Sequence, residues 1–204
     1  MPLLQFSNVA LDKNGTLSFN IGAGETLLLQ VASLEAKAAV IDMALGEMIP
    51  AAGEILLQDM PLQKAKPGSI GWIPALGGLI SNLKTWENVT LPLWYHGRRQ
   101  TQTTEELVAR WLSELKLDQN EWERFMASPA ARLRPVERKL AGLLRGLVLA
   151  PQLLVIDAAL FDEVEITSVQ SWIAVLEKFA READGRAVLV VAHGSTLLPW
   201  RKVA

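Results

Sequence analysis

Apolar residues concentrate in three short runs, residues 26–31 (TLLLQV), 153–156 (LLVI) and 187–192 (AVLVVA), each bounded by turn or polar residues. Runs of this length without strict alternation suit strands buried on both faces of a parallel sheet. Helical patterns lie between them, and the alternation of strand and helix predicts an α/β fold. The opening segment differs. Residues 5–9 (QFSNV) and 16–21 (TLSFNI) alternate polar and apolar around Asp12-Lys13-Asn14-Gly15. That pattern predicts a hairpin, and with it a small antiparallel sheet at the start of the chain.

The middle of the chain reads as helix. Thr103-Thr104-Glu105-Glu106 is a capping box, and Leu107, Val108, Trp111, Leu112 and Leu115 follow at helical spacing. Pro135 can open another helix over residues 136–149, which Ala150-Pro151 stops. Ser33 is a good N-cap, residues 34–39 are strong helix formers and Gly46 suits the position just past a helix, so a capped helix is expected from Leu34. No internal repeat or low-complexity linker interrupts the 204 residues. One domain, with a helical subdomain inserted over about residues 85–150, fits that length.

Composition narrows the chemistry. Half of the residues are hydrophobic, enough to bury a substantial core, which argues against disorder. Twenty basic against twenty-two acidic residues leave a net charge of −2, which argues against a dedicated nucleic-acid binder. The absence of cysteine excludes disulfides, thiolate metal sites and cysteine nucleophiles, and two histidines cannot build a histidine-rich metal centre. Residues 1–5 lack the basic region and apolar core of a signal peptide. The richest apolar stretch, residues 140–156, is interrupted by Arg145, Pro151 and Gln152 and falls short of the ~18 residues of a membrane span. A cytoplasmic protein is expected. Seven tryptophans in a greasy chain predict an apolar surface that meets a partner.

Each buried run ends at a polar feature: the first leads into Ala32-Ser33-Leu34-Glu35-Ala36-Lys37, the second ends at Asp157 and the third at His193. Ligands of open parallel sheets sit beyond the carboxyl ends of the strands, so these groups are expected to converge on one crevice. In this order the features resemble the nucleotide-binding domain of ABC transporters along nearly the whole chain. Gly22-Ala23-Gly24-Glu25 resembles the turn before the phosphate-loop strand, residues 31–39 (VASLEAKAA) occupy the Walker A position, and residues 51–55 (AAGEI) resemble the hairpin that follows. Residues 70–75 (IGWIPA) stand at the Q-loop, 83–93 (LKTWENVTLPL) at the family's "LT-ENV-LPL" stretch, and 133–137 (LRPVE) at the LSGGQ signature. Residues 153–157 (LLVID) resemble Walker B and 190–193 (VVAH) the H-loop. The resemblance implies a P-loop NTPase-like, mostly parallel sheet flanked by helices, in a family whose cofactors are ATP and Mg²⁺. The wording of residues 77–97 is most similar to the ABC proteins of MCE-type lipid-transport systems.

Set against the family's pattern, the motifs for phosphate chemistry are altered together. A working P-loop uses glycines to let backbone N–H groups wrap the phosphates, a lysine for the β/γ-phosphates and a hydroxyl for Mg²⁺. Here Val31 and Ala36 hold the glycine positions, Leu34 a further one, and Ala38 replaces the hydroxyl; Lys37 remains. A non-glycine residue in the left-handed region costs roughly 1–2 kcal/mol, and several together should abolish the cradle. Glu35 adds a negative charge that opposes a phosphate about 5 Å away by about 3 kcal/mol at an effective dielectric near 20. An ordinary capped helix with a shortened phosphate loop is expected instead. Ala158 stands at the catalytic Glu, Ala75 at the Q-loop Gln, and Arg134-Pro135-Val136 at Ser-Gly-Gly, where Pro135 has no N–H to donate and Glu137 would face the γ-phosphate. Family members bind each ATP between one chain's Walker A and another's signature, so a homodimer of this chain would hold no competent site.

The candidate residues each carry a plainer alternative. Lys37 and Ser33 are remnants of a phosphate site, or a solvated helix lysine and an N-cap. Asp157 and His193 are vestigial catalytic groups, or groups pairing and hydrogen-bonding at strand ends. Arg132, Arg134, Arg138 and Lys139 read as a solvated basic face. Leu79, Ile80, Trp86 and Trp94 either line the groove that receives a permease's coupling helix or form subdomain core. The chain ends eleven residues past His193, where family members carry further strands, so an open sheet edge is expected there. The resulting expectation is a catalytically degenerate ABC subunit, a pseudo-ATPase for which no cofactor is assigned. It would have a structural or regulatory role on a permease or beside a second ABC subunit, as homo- or heterodimer, at the cytoplasmic face of the inner membrane. Two alternatives stay open: a slow ATPase completed by its partner, and a free soluble regulator.

Overall fold

The computed structural model describes residues 2–11, 15–97, 101–183, 185–194 and 196–203, with the side chains of residues 101–103 left aside. Its strands are β1 (Pro2–Ala10), β2 (Thr16–Gly22), β3 (Thr26–Val31), β4 (Glu54–Leu57), β5 (Met60–Pro61), β6 (Ile70–Ile73), β7 (Leu153–Asp157), β8 (Ala187–His193) and β9 (Arg201–Val203). The helices are α1 (Leu34–Leu45), α2 (Thr85–Tyr95), α3 (Thr101–Glu114), α4 (Gln119–Ala127), α5 (Pro135–Leu149) and α6 (Ile166–Arg181). Contacts divide the chain into two compact units: Met1–Trp72 with Gln152–Ala158 and Leu176–Ala204, and Ile73–Pro151 with Ala159–Val175.

The first unit holds two sheets. One is antiparallel in the order β2-β1-β4-β5; the other has the order β6-β7-β8-β3-β9. In the second sheet β7, β8, β3 and β9 run parallel, with Leu28 beside Val190 and Val190 beside Ile156. The three aliphatic runs predicted as buried strands are β3, β7 and β8, and the predicted hairpin is β1 with β2; its turn residues Asp12, Lys13 and Asn14 lie outside the described residues. One apolar core joins both sheets and α1, with Phe6 stacked on Phe19 (centroids 4.6 Å apart) and Leu27, Leu29, Val155, Leu189 and Val191 completely buried. Each such aliphatic side chain contributes ~1.5–3 kcal/mol on burial. Past His193 the chain adds, next to β3, one short strand, which becomes the last strand of the sheet. Residues 201–203 form β9, which pairs in parallel with β3.

α1 begins and ends where its sequence demands. Ser33 is extended (φ −139°, ψ 164°) and its hydroxyl accepts the Ala36 N–H at 3.0 Å. Gly46 is left-handed (φ 77°), and its N–H and that of Glu47 return to the carbonyls of Met43 and Asp42. Gly46 satisfies carbonyls that a helix end leaves open, at no Cβ cost.

In the second unit α5 packs against α2 and α3, and α2 also meets α4. Leu143, Leu144 and Leu147 of α5 are wholly buried, with Val89, Val108, Trp111, Leu112 and Phe125 also inside. α5 starts at Pro135 and stops at Ala150 as its sequence predicts. α3 starts at Thr101, ahead of the capping box expected at Thr103-Thr104-Glu105-Glu106; the Thr103 side chain lies outside the described residues. Lys139 corrects the expected solvated basic face. It is only 6% exposed, and its ammonium donates to the carbonyls of Ala159 (3.1 Å) and Asp162 (2.6 Å). Among the described residues no helix is long and apolar enough to cross a membrane.

Candidate functional site

The carboxyl end of the parallel sheet assembles most of the predicted polar groups. Only Ala32 and Ser33 separate β3 from α1, so residues 34–36 are helix where a P-loop would still be wrapping phosphate. That places Lys37 in the first turn of α1. Its ammonium donates to both oxygens of Asp157, at 2.9 Å each, across 120 residues of sequence. The two side chains are 17% and 13% exposed. Lys37 is thus neither a solvated helix lysine nor an unengaged phosphate ligand, and Asp157, the last residue of β7, presents its carboxylate to this ammonium. A bidentate charge-assisted contact is among the stronger hydrogen-bond types.

The other two predicted residues flank this pair. Ser33 caps α1 as described. His193 closes β8 opposite Val31 and is exposed. Its electrostatic neighbour is Glu35, whose carboxylate accepts hydrogen bonds from its own backbone N–H and from the Ser33 hydroxyl. Those bonds, with a smaller pull from His193, hold Glu35 below the usual carboxylate range. The anion-attracting end of α1 therefore already carries a carboxylate from its own chain. Ala158 follows Asp157 and is buried. Among the described residues no group of three or more His, Asp or Glu side chains gathers as for a metal ion. A phosphate with a divalent cation here would have to break the Lys37–Asp157 pair and sit against Glu35.

At the start of α5, Glu137, expected to face a γ-phosphate, is engaged by its own chain. Its side chain is 8% exposed. One carboxylate oxygen accepts the Arg134 backbone N–H at 2.8 Å, and the other accepts from Arg124 at 2.8 Å and Arg134 at 3.2 Å. Burial pushes this carboxyl up, but these hydrogen bonds together outweigh it and hold the group down at about 2. Beside it lies a cavity of about 440 Å³ lined by Arg124, Arg134, Glu137, Leu140 and Trp172 among others. The chain's own acid thus occupies the position where the resemblance places a signature glutamine.

The four predicted docking residues divide. Leu79 lines a cleft of about 270 Å³ with Leu76, Gly78, Ser81, Ala130, Ala131 and Arg138. Ile80 beside it is 45% exposed. Trp86 lies half-buried in the first turn of α2, and Trp94, 55% exposed, in its last. Eight residues of helix separate the two tryptophans by about 12 Å, so Leu79 lines the cleft, Ile80 is exposed next to it in sequence, and the tryptophans mark opposite ends of α2. Two residues that the sequence reading did not mark as site residues organise this region. Arg145 donates to the carbonyls of Gly78 (2.6 Å) and Gly77 (2.9 Å), and Asn88, buried, bonds Ile80 through both its N–H and its C=O. The doublet Gly77-Gly78 was the available signal.

No family model matches the sequence. Solved structures do share its fold. The cbiO1 protein of Clostridium perfringens, part of the ABC transporter complex cbiONQ, is 16% identical, with 95% of this chain and 79% of that one covered and a TM-score of 0.73. An ATP-binding cassette, MJ0796, solved as a dimer in a post-hydrolysis state with ADP and Pi, is 18% identical over 94% of this chain and 88% of its own, at 0.75. A putative ABC transporter ATP-binding protein from Pyrococcus furiosus is 12% identical over 98% and 96%, at 0.78. At these identities the likeness establishes the fold, that of an ABC transporter ATP-binding subunit.

Proposed function

We propose that this chain, carrying the fold of an ABC ATP-binding subunit, works as a subunit that has given up ATP hydrolysis. In this reading it is a structural or regulatory component of a transport complex, docked on a permease or paired with a second ABC subunit at the cytoplasmic face of the inner membrane. The helical part over about residues 85–150 is the portion inserted in the ATPase-like domain, and Leu79, Ile80, Trp86 and Trp94 belong to its docking side. The observation that carries the reading is the Lys37–Asp157 pair beneath a two-residue connection. The group that would hold phosphate and the group that would hold Mg²⁺ neutralise each other, and the backbone that would cradle phosphate is helix. That the cbiO1 protein is part of a transporter complex supports assembly as the mode of action. Calorimetry with Mg-ATP tests it: the expected result is no binding at micromolar nucleotide. Micromolar affinity, with turnover abolished by Lys37→Ala, would refute it.

One observation favours a second reading. Lys37 and Asp157 remain adjacent at the strand ends, so a partner that supplied the missing donors could complete a slow ATPase. Magnesium-dependent turnover that appears only in the reconstituted complex, and is lost with Asp157→Asn, would select it.

A further inference from the structure

The loop between β6 and α2 combines two properties that rarely coincide. Its side chains are open, with Leu76 68% and Ile80 45% exposed, yet its backbone is fastened along its length. Gly77 and Gly78 are left-handed (φ 78° and 62°). Gly77 lies directly on α5: a Cβ on Gly77 would stand 2.2 Å from the Arg138 carbonyl oxygen, and one on Gly142 2.4 Å from the Gly77 Cα. Arg145, three residues further along α5, then takes both glycine carbonyls. Asn88 of α2 does the same for the next stretch. Its Oδ1 accepts the Ile80 N–H at 2.7 Å, and its Nδ2 donates to the carbonyls of Ile80, Leu83 and Lys84 at 3.0, 3.3 and 3.1 Å. The N–H groups of Ala131 and Ala130 reach the Ser81 and Leu83 carbonyls at 3.0 and 2.9 Å.

Buried polar groups satisfied this fully hold one geometry. A loop whose backbone is fixed in the free protein presents its apolar side chains without an ordering cost at the moment of binding, and rigid apolar anchors are what interface hot spots consist of. We propose that Arg145 and Asn88 are positioning residues that preform Leu76, Leu79 and Ile80 as the anchor of a docking cleft. We assign to that cleft a permease helix with a small apolar face and one carboxylate. The carboxylate follows from the lining, in which Arg138 is the charged residue: its guanidinium is exposed and donates to the Ala131 carbonyl at 3.0 Å, leaving further donors for an acid. The proposal rests on the docking reading above.

Hydrogen exchange on the whole chain separates the two. In Arg145→Met, amides of residues 76–83 should exchange about tenfold faster while those of β7 keep their rate, and Arg145→Lys, which can still reach one carbonyl, should recover part of the protection. Asn88→Asp, keeping the acceptor and losing the donor, should loosen residues 80–84. Unchanged exchange in residues 76–83, or equal acceleration in β7, overturns the positioning role. The second arm places a photoreactive phenylalanine analogue at position 80 and irradiates membranes of the producing organism. The expected product is a crosslink to an amphipathic, carboxylate-bearing segment of an integral membrane protein, reduced about tenfold by Arg145→Met at equal protein level. A crosslink that Arg145→Met leaves undiminished overturns the positioning role and spares the docking reading. Locally accelerated exchange with no crosslink from position 80 overturns the docking reading and the proposal with it.

Discussion

Replacing Lys37 with alanine separates a structural ion pair from a waiting phosphate ligand. The ammonium lies 2.9 Å from both Asp157 oxygens, with the two side chains 17% and 13% exposed. A solvated surface pair contributes ~0–1 kcal/mol, whereas breaking a fully buried one costs ~3–5 kcal/mol; at these exposures about 2 kcal/mol is expected. For a chain of this size that corresponds to a fall in Tm of roughly 4–8 °C. The double replacement Lys37→Met with Asp157→Leu should recover most of the loss, because no charge is then left without its counterpart. Thermal melts with and without 1 mM Mg-ATP provide the assay. A protein that bound ATP at ~10 μM would gain about 2.7 kcal/mol from that nucleotide and melt several degrees higher; here no shift is expected. The reasoning fails if Lys37→Ala melts with the unaltered protein while Mg-ATP raises the Tm of the latter alone.

Three further outcomes follow from the same contacts. Glu137 titrates at about 2 in the folded chain against an ordinary value of 4.5, so its stabilisation is present above about pH 4.5 and lost as pH falls towards 2. Glu137→Gln should remove roughly 3 kcal/mol at pH 7 and flatten the acid limb of denaturant-measured stability between those values. Ser33→Ala should cost about 1 kcal/mol through the lost cap, read as a Tm about 2–4 °C lower. Gly142→Ala should destabilise by about 1–3 kcal/mol, since its methyl would press on the Gly77 Cα at 2.4 Å and the loop would have to lift; the signature is faster exchange in residues 76–83 rather than in β7.

What the sequence made legible was local. The aliphatic runs became β3, β7 and β8, and Ser33 and Gly46 bound α1 because a cap and a left-handed glycine act within one turn of the helix. Elements that depend on a distant partner were not legible. Arg201, Lys202 and Val203 have no strand pattern of their own and become β9 because β3 offers them an edge. α2 was legible only as the start of a helical region from about residue 85, its own pattern blurred by Pro92 within it and by Val89 and Thr90, which disfavour helix until packing against α5 decides otherwise. At the site the residues were found but not their engagement. Lys37 and Asp157 lie 120 positions apart, and only the parallel register carries one to the other. Arg145 read as an interruption of an apolar stretch, and Lys139 as part of a solvated face. Both are charged groups carried inside by backbone carbonyls, a form of compensation that leaves no mark at their own positions.

The starts of α1 and α5 share one physical solution. A helix N-terminus presents N–H groups that lack partners within the helix and a partial positive charge, and in the P-loop and related sites a phosphate answers both. At α1 the Ser33 hydroxyl takes one of those N–H groups and Glu35 supplies the negative charge. At α5 Pro135 removes one N–H altogether, and Glu137 brings a carboxylate that stays ionised far below neutral pH. Loss of glycines alone would leave two helix ends still drawing anions from solution. The acids go further, since each satisfies its helix in the absence of any ligand and repels one that arrives. A chain under selection to keep the fold without the nucleotide has reason to acquire both changes. At either end the same carboxylates would weaken the binding of a nucleotide while stabilising the fold without one, and in the proposed reading this asymmetry gives the charges at positions 35 and 137 more weight than the missing glycines.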